Sequence, residues 1–305
     1  MRRRPLVRSL WAVAGAVALT VTAGGRAWGT ATGQGTATGH GAAVTGPNLA
    51  VISYWDPAEF ARLPSGSLAV VNPADGIVGA DAATVAAFKQ AVRTARARDV
   101  RFLGYVPTGY GDRRSGHPNG EGSVGQSLAD IRRQISLYAS TFGTATLDGI
   151  FFDETSQSCS SAARDYPTLS AAVRAAGLQR SAFNPGWVGD GYCFVDATPR
   201  GDVVVTFEST LDAYLTDPSL ETDLRTANQR AHAKGARTWH LVDAAPGTGG
   251  LAKALAALRR RGPDLAYVTD IGENWQAGEN TWGSPPGYWT AEVQCLTGSS
   301  CPVTG

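Results

Sequence analysis

Beyond its first thirty residues the chain has no apolar run approaching the roughly 20 residues that cross a membrane, which argues against a polytopic membrane protein. Its 37 glycines follow no three-residue period, so a collagen is excluded. Nor is it poor in apolar residues: 43% hydrophobic against 17% charged is too rich for a disordered chain. Cys-x-x-Cys does not occur and the four histidines, His40, His117, His232 and His240, are scattered, so neither a structural zinc nor any other metal or cofactor is expected. Gly-x-Ser-x-Gly and the P-loop are missing. Gly120 to Gly125 matches G-x-G-x-x-G, but in a polar loop that does not follow directly on a strand, so it is not read as a dinucleotide site. A basic face is also lacking. Five of the 27 basic residues and none of the 26 acids fall in residues 1–29; the rest of the chain carries 22 against 26, about −4, which disfavours nucleic acid as a partner.

What is present begins with a leader. Arg2, Arg3, Arg4 and Arg8 precede an acid-free apolar run from Leu10 to Ala23 and the small-x-small triplet Ala27-Trp28-Gly29. This pattern predicts a secretory signal peptide over residues 1–29, hence a secreted, extracellular protein with no membrane attachment after cleavage. Residues 30–46, rich in Thr, Gly and Ala, predict a flexible leader, and residues 47–305 a single folded domain. Four cysteines in an exported chain read as disulfides. Of the three pairings possible, Cys159 with Cys193 and Cys295 with Cys301 are expected, because each joins segments that the topology below sets side by side; the alternative leaves one bridge and two free thiols.

Eight β-branched or aromatic runs follow: Leu49 to Trp55, Leu68 to Asn72, Arg101 to Val106, Gly149 to Asp153, Arg180 to Asn184, Asp202 to Phe207, Ala236 to Val242 and Asp264 to Thr269. Helical periodicity marks Ala80 to Arg98, Ser127 to Phe142, Asp165 to Ala176, Asp217 to Lys234 and Gly250 to Arg261, with Gly177, Gly235 and Gly262 where C-terminal caps belong. Alternating strands and helices of this number and length predict an α/β fold, a (β/α)8 TIM barrel, with a doubly wound open sheet as the alternative.

In such a barrel functional side chains gather at the C-terminal ends of the strands. Those ends carry Tyr54 and Trp55, Asn72, Tyr105 with Thr108 and Tyr110, Asp153 and Glu154, Asn184, Glu208, His240 with Asp243, and Asp270. Period-two alternation turns Asp153 inward, and sends Glu154 to the helix side unless the strand has ended and the chain turns there. In Val203-Val-Val-Thr-Phe-Glu208 it aligns Val204, Thr206 and Glu208 inward, with Val203, Val205 and Phe207 facing the helices. Asp153 and Glu208 then converge across two strand spacings, their carboxyl groups about 5 to 9 Å apart, an interval that spans both retaining and inverting glycosidases. Paired carboxylates suit glycoside hydrolysis, where one protonates the leaving oxygen and the other attacks or activates water. Loop aromatics, among them Trp55, Tyr110, Trp187 and Trp275, suit stacking on sugar rings. A non-catalytic sugar-binding barrel and a metal-dependent hydrolase share these features and stay open. His240 orients a substrate on one reading and is a hydrogen-bonded barrel-interior residue on the other.

Several segments together resemble the spherulin-4 family, whose characterised fungal members form glycoside hydrolase family 135. They are Val71-Asn72-Pro73 with Gly76, Gly104-Tyr105-Val106-x-Thr108-x-Tyr110-Gly111, Asp148-Gly-Ile-Phe-Phe-Asp-Glu154, Asn184-Pro185-Gly186, Phe207-Glu208 and Pro286-Gly-Tyr-Trp289. The resemblance implies a (β/α)8 barrel and an endo-acting hydrolase of α-1,4-linked N-acetylgalactosamine in galactosamine-containing extracellular or biofilm polysaccharide. It maps the family's acidic trio onto Asp153, Glu154 and Glu208. The chain departs from the family pattern in a long segment from Arg113 to Gly125 and in Pro107 within the third-strand motif. Asp153 is expected as nucleophile or charge stabiliser, Glu208 as general acid/base, and Glu154 as a residue that tunes the site or binds the amino sugar. Tyr54, Trp55, Asn72, Tyr105, Tyr110, Asn184, Trp187, His240 and Asp270 are expected to contact substrate.

Overall fold

The structure, a computed structural model, describes residues 46–118, 124–156, 158–186, 192–272, 280–298 and 300–303. The expected signal peptide and all but the last residue of the leader lie outside the described residues, as do Trp187 and Trp275. The strands are β1 (Asn48–Val51), β2 (Leu68–Val71), β3 (Arg101–Pro107), β4 (Gly149–Asp153), β5 (Arg180–Phe183), β6 (Val203–Thr210), β7 (Arg237–Asp243) and β8 (Leu265–Val268). Each pairs in parallel with the next, and β8 pairs with β1, closing a barrel. Closure leaves no open edge, so the doubly wound alternative is excluded.

All five expected helices form: α1 (Ala82–Arg96), α2 (Leu128–Phe142), α3 (Cys159–Ala175), α6 (Leu220–Lys234) and α7 (Gly247–Arg261). Three short ones join them, α4 (Cys193–Ala197), α5 (Leu211–Thr216) and α8 (Trp289–Thr297). Their ends are set by side chains. Asp81 accepts the Thr84 N–H ahead of α1, Ser127 and Asp130 form a reciprocal capping box on α2, and Ser158 accepts the Ser161 N–H on α3. Gly235 and Gly262 close α6 and α7 in the left-handed conformation. Helix α3 starts six residues before the expected Asp165, and Cys159, its first residue, is bonded to Cys193, the first residue of α4. That bridge ties together the segments that follow β4 and β5. Cys295 and Cys301 form the second bridge, at the end of α8. No described helix is long and apolar enough to cross a membrane.

The register fixes what faces inward. Phe151 of β4 and Trp239 of β7 belong to non-neighbouring strands, yet their rings lie 5.6 Å apart, so both fill the barrel interior. Strand β6 departs from the expected alternation. Val203 pairs with Arg237 and Val205 with Trp239, so these valines face inward, not toward the helices. A bulge then shifts the register, and Phe207 pairs with His240 while Glu208 pairs with Leu241. One extra residue inverts the parity of everything after it. Glu208 therefore reaches the interior by way of the bulge rather than by unbroken alternation.

Candidate functional site

At the C-terminal mouth three side chains meet from adjacent strands. Asp153 ends β4, Asn184 follows β5 and Glu208 lies past the β6 bulge. The Asn184 side-chain nitrogen donates to Asp153 Oδ1 at 2.8 Å and to Glu208 Oε2 at 2.7 Å. Laid end to end, those bonds limit the two carboxylate oxygens to a separation of about 5.5 Å, the short end of the interval expected from strand spacing. The other oxygen of Asp153 accepts the Tyr105 hydroxyl at 2.9 Å.

Tyr105 is itself held from above. The Tyr54 ring meets it edge-on at 5.3 Å, and the two side chains are hydrogen-bonded, so Tyr54 packs on the residue that donates to Asp153. Burial of the Tyr54 hydroxyl, then the charges of Asp153, Glu208 and Asp75, push its pKa well above the ordinary phenol value. Tyr54 thus stays a neutral phenol beside the carboxylates. Asp75, in the loop after β2, was not among the expected site residues; the signal was an acidic residue in the short Asn72-Pro-Ala-Asp-Gly76 loop that follows a strand end.

Glu154 meets the condition the sequence set for it. Strand β4 stops at Asp153, and Glu154 takes a left-handed φ of 54°, which turns the chain. Thr108 clamps that turn, its hydroxyl donating to the carbonyls of Asp153 and Glu154, while the Tyr110 N–H donates to Glu154 O at 2.6 Å. A non-glycine residue held this way costs on the order of 1–3 kcal/mol and persists only where the surroundings over-determine it. Tyr110 carries the same conformation, at φ 52°.

Other expected site residues lie elsewhere. Trp55 is 1% exposed, its ring edge-on to Trp289 and Tyr267, and it presents no face for a sugar to stack on. His240 follows the inward Trp239 and so points out of the barrel, against Phe207 and Tyr214. Its Nδ1 is bonded to the Tyr214 hydroxyl at 2.7 Å, and burial and then the charge of Arg261 push its pKa down to about 3. It is neither a mouth residue nor a barrel-interior one; it is a neutral imidazole in the strand–helix layer. Asp270 receives the Gly287 N–H on both oxygens and so anchors the turn before α8. Asn72 accepts the Gly76 N–H at 2.7 Å, shaping the loop that carries Asp75. Among the described residues no group of three or more His, Cys, Asp or Glu could hold a metal ion.

A closed eight-stranded parallel barrel is a fold shared with glycoside hydrolases of known structure. A broad-specificity GH5-4 endoglucanase from Clostridium longisporum superposes with a TM-score of 0.51 at 10% identity, over 83% of this chain and 94% of that one. A hyperthermophilic endo-β-1,4-glucanase gives 0.49 at 13%, over 83% and 97%, and a glycoside hydrolase family 5 enzyme from Prevotella bryantii gives 0.47 at 9%, over 79% and 83%. At 10% identity the likeness to the first of these is one of fold. Comparison with curated protein sequences finds no match. The profile of the spherulation-specific family 4, Spherulin4, matches residues 50–296, and the chain belongs to that family.

Proposed function

We propose that the protein is a secreted glycoside hydrolase that cleaves α-1,4-linked N-acetylgalactosamine within galactosamine-containing polysaccharide, with Asp153 and Glu208 as its reacting carboxylates. The observation that carries this reading is the single Asn184 amide nitrogen bonded to both, which keeps their oxygens within about 5.5 Å. Retaining enzymes hold their two carboxyl groups about 5 to 5.5 Å apart, whereas inverting ones leave room for water at about 6.5 to 9.5 Å. The separation therefore favours double displacement. In an α-linked N-acetylgalactosaminide the leaving oxygen and the 2-acetamido group are cis, so the acetamido group cannot attack C1 from the rear, and a protein carboxylate or an activated water must; the short spacing favours the carboxylate.

Asp153 is the nucleophile. Both of its oxygens accept a hydrogen bond from an anchored side chain, which suits an ionised group held in one orientation. It attacks C1 as the bond to the leaving oxygen breaks, and Glu208 passes its proton to that oxygen. Glu208 then takes a proton from water, which displaces Asp153 from C1 and releases the sugar with its configuration retained. Glu154, buried in the strained turn, shapes the position of Asp153 from the chain side. The substrate that the resemblance implies, the predicted signal peptide and the two disulfides support the polysaccharide and secretion parts of the reading. Asp153→Asn and Glu208→Gln should each lower turnover at least ~100-fold with folding intact. Near-wild-type turnover in either folded variant removes that residue from the mechanism.

A further inference from the structure

Asn184 was expected to bind substrate, and its bonds leave it little to bind substrate with. Both amide hydrogens are directed at carboxylates, one at Asp153 Oδ1 and one at Glu208 Oε2. Its carbonyl oxygen accepts the Gly186 N–H at 2.9 Å, which fixes the amide so that nitrogen, not oxygen, faces the acids. Gly186 delivers that N–H from a left-handed backbone, at φ 75°, in the turn that Asn184-Pro185-Gly186 makes. The backbone of Asn184 is clamped as well: its N–H donates to Phe152 O at 2.8 Å and its carbonyl accepts from Thr155 N at 2.9 Å. Those two residues flank Asp153 and Glu154 in the chain. Asn184 is 4% exposed.

We propose that Asn184 is the positioning residue of the reacting pair: one amide holds Asp153 and Glu208 at a fixed spacing and makes no hydrogen bond to the sugar. The proposal rests on the reading of those two carboxylates as the reacting groups. Two ionisable acids this close repel when both are charged, and each loses orientation if nothing lies between them. The amide supplies a donor to each without adding charge. Its own orientation is dictated by a glycine N–H and by the end of β4, not by anything the substrate brings. A substrate-binding asparagine and a positioning asparagine differ in what their loss does: the first raises KM, the second lowers kcat.

The test compares wild type with Asn184→Ala and Asn184→Asp, and with Asp153→Asn and Glu208→Gln, on an α-1,4-linked N-acetylgalactosamine oligosaccharide. In Asn184→Ala, kcat should fall about 100-fold or more, as misplacement of a reacting group by an ångström can do, with KM within about twofold. Asn184→Asp places a third carboxylate where the donor stood, so the acidic limb of the kcat–pH profile should move upward. A KM rise of tenfold with kcat retained would make Asn184 a sugar contact and overturn the proposal; so would wild-type kcat in a folded Asn184→Ala protein. Asn184→Ser replaces the alanine variant if that one does not fold. A crystal structure of a folded variant provides an arm that needs no turnover, with the two carboxylates parted beyond about 5.5 Å if the proposal holds and unmoved if it does not. Full activity in Asp153→Asn or Glu208→Gln would instead overturn the reading of the pair itself.

Discussion

Glu292 makes the stability of the barrel fall as pH rises. It sits in α8 with no exposed surface, and its Oε1 accepts the Val268 N–H of β8 at 2.7 Å. Its Oε2 finds no hydrogen-bond partner among the described residues. Burial and then the charge of Asp270 raise its pKa well above the ordinary carboxyl value, against the lowering effect of the Val268 N–H. The folded state therefore keeps a proton that the unfolded chain gives up near pH 4.3. Stability from this group is fully present below that pH and is lost as pH rises toward the folded pKa, at about 1.4 kcal/mol per unit. Glu292→Gln keeps the carbonyl that accepts from Val268 and cannot ionise, so it removes the slope. For a domain of this size 1 kcal/mol corresponds to roughly 2–4 °C in Tm. The Tm of the variant should thus gain about 3 to 6 °C on wild type between pH 5 and pH 6. Thermal melts of both proteins across that window decide it, because titrating groups that do not interact with Glu292 cancel in the difference. A gap that stays constant with pH would refute the buried, protonated Glu292.

His240 acts in the opposite sense. Its depressed folded pKa, about 3, means that wild type should lose stability relative to His240→Gln as pH falls below about 6.5, and parallel denaturation curves from pH 6.5 to 4 would contradict this. The disulfides should rank by the loop each closes. Opening Cys159–Cys193, 34 residues apart, by paired serine substitutions should cost about 4 kcal/mol, and opening Cys295–Cys301, 6 apart, about 2, as read from urea unfolding.

Much of this was legible in the sequence because a barrel repeats one unit. Eight runs between capped helices mark the fold even where single boundaries are poor. The first run was drawn through Trp55, whereas β1 ends at Val51, because Tyr54 and Trp55 are as apolar as strand residues yet belong to the turn beyond it. Helices α4, α5 and α8 escaped notice because so few turns give no period to read. Asp153 shares the inward face of Phe151, as alternation predicts, because β4 is regular up to its end. Glu208 faces inward as alternation predicts, but for another reason, since the bulge that carries it there leaves no mark in Val203-Val-Val-Thr-Phe. His240 lies on the helix side because Trp239 before it faces inward, a parity of β7 that its position near a strand end does not reveal. The bridging role of Asn184 depends on three strands meeting, which pattern along one chain does not report.

The most direct measurement is to incubate the purified protein, with EDTA present, with α-1,4-linked N-acetylgalactosamine polysaccharide, size the products, and read the anomer first released by proton NMR. Short oligosaccharides with α reducing ends are expected, formed as fast with chelator as without. Polysaccharide left at full length by a folded protein, or a β anomer appearing first, would contradict a carboxylate pair held close enough for double displacement.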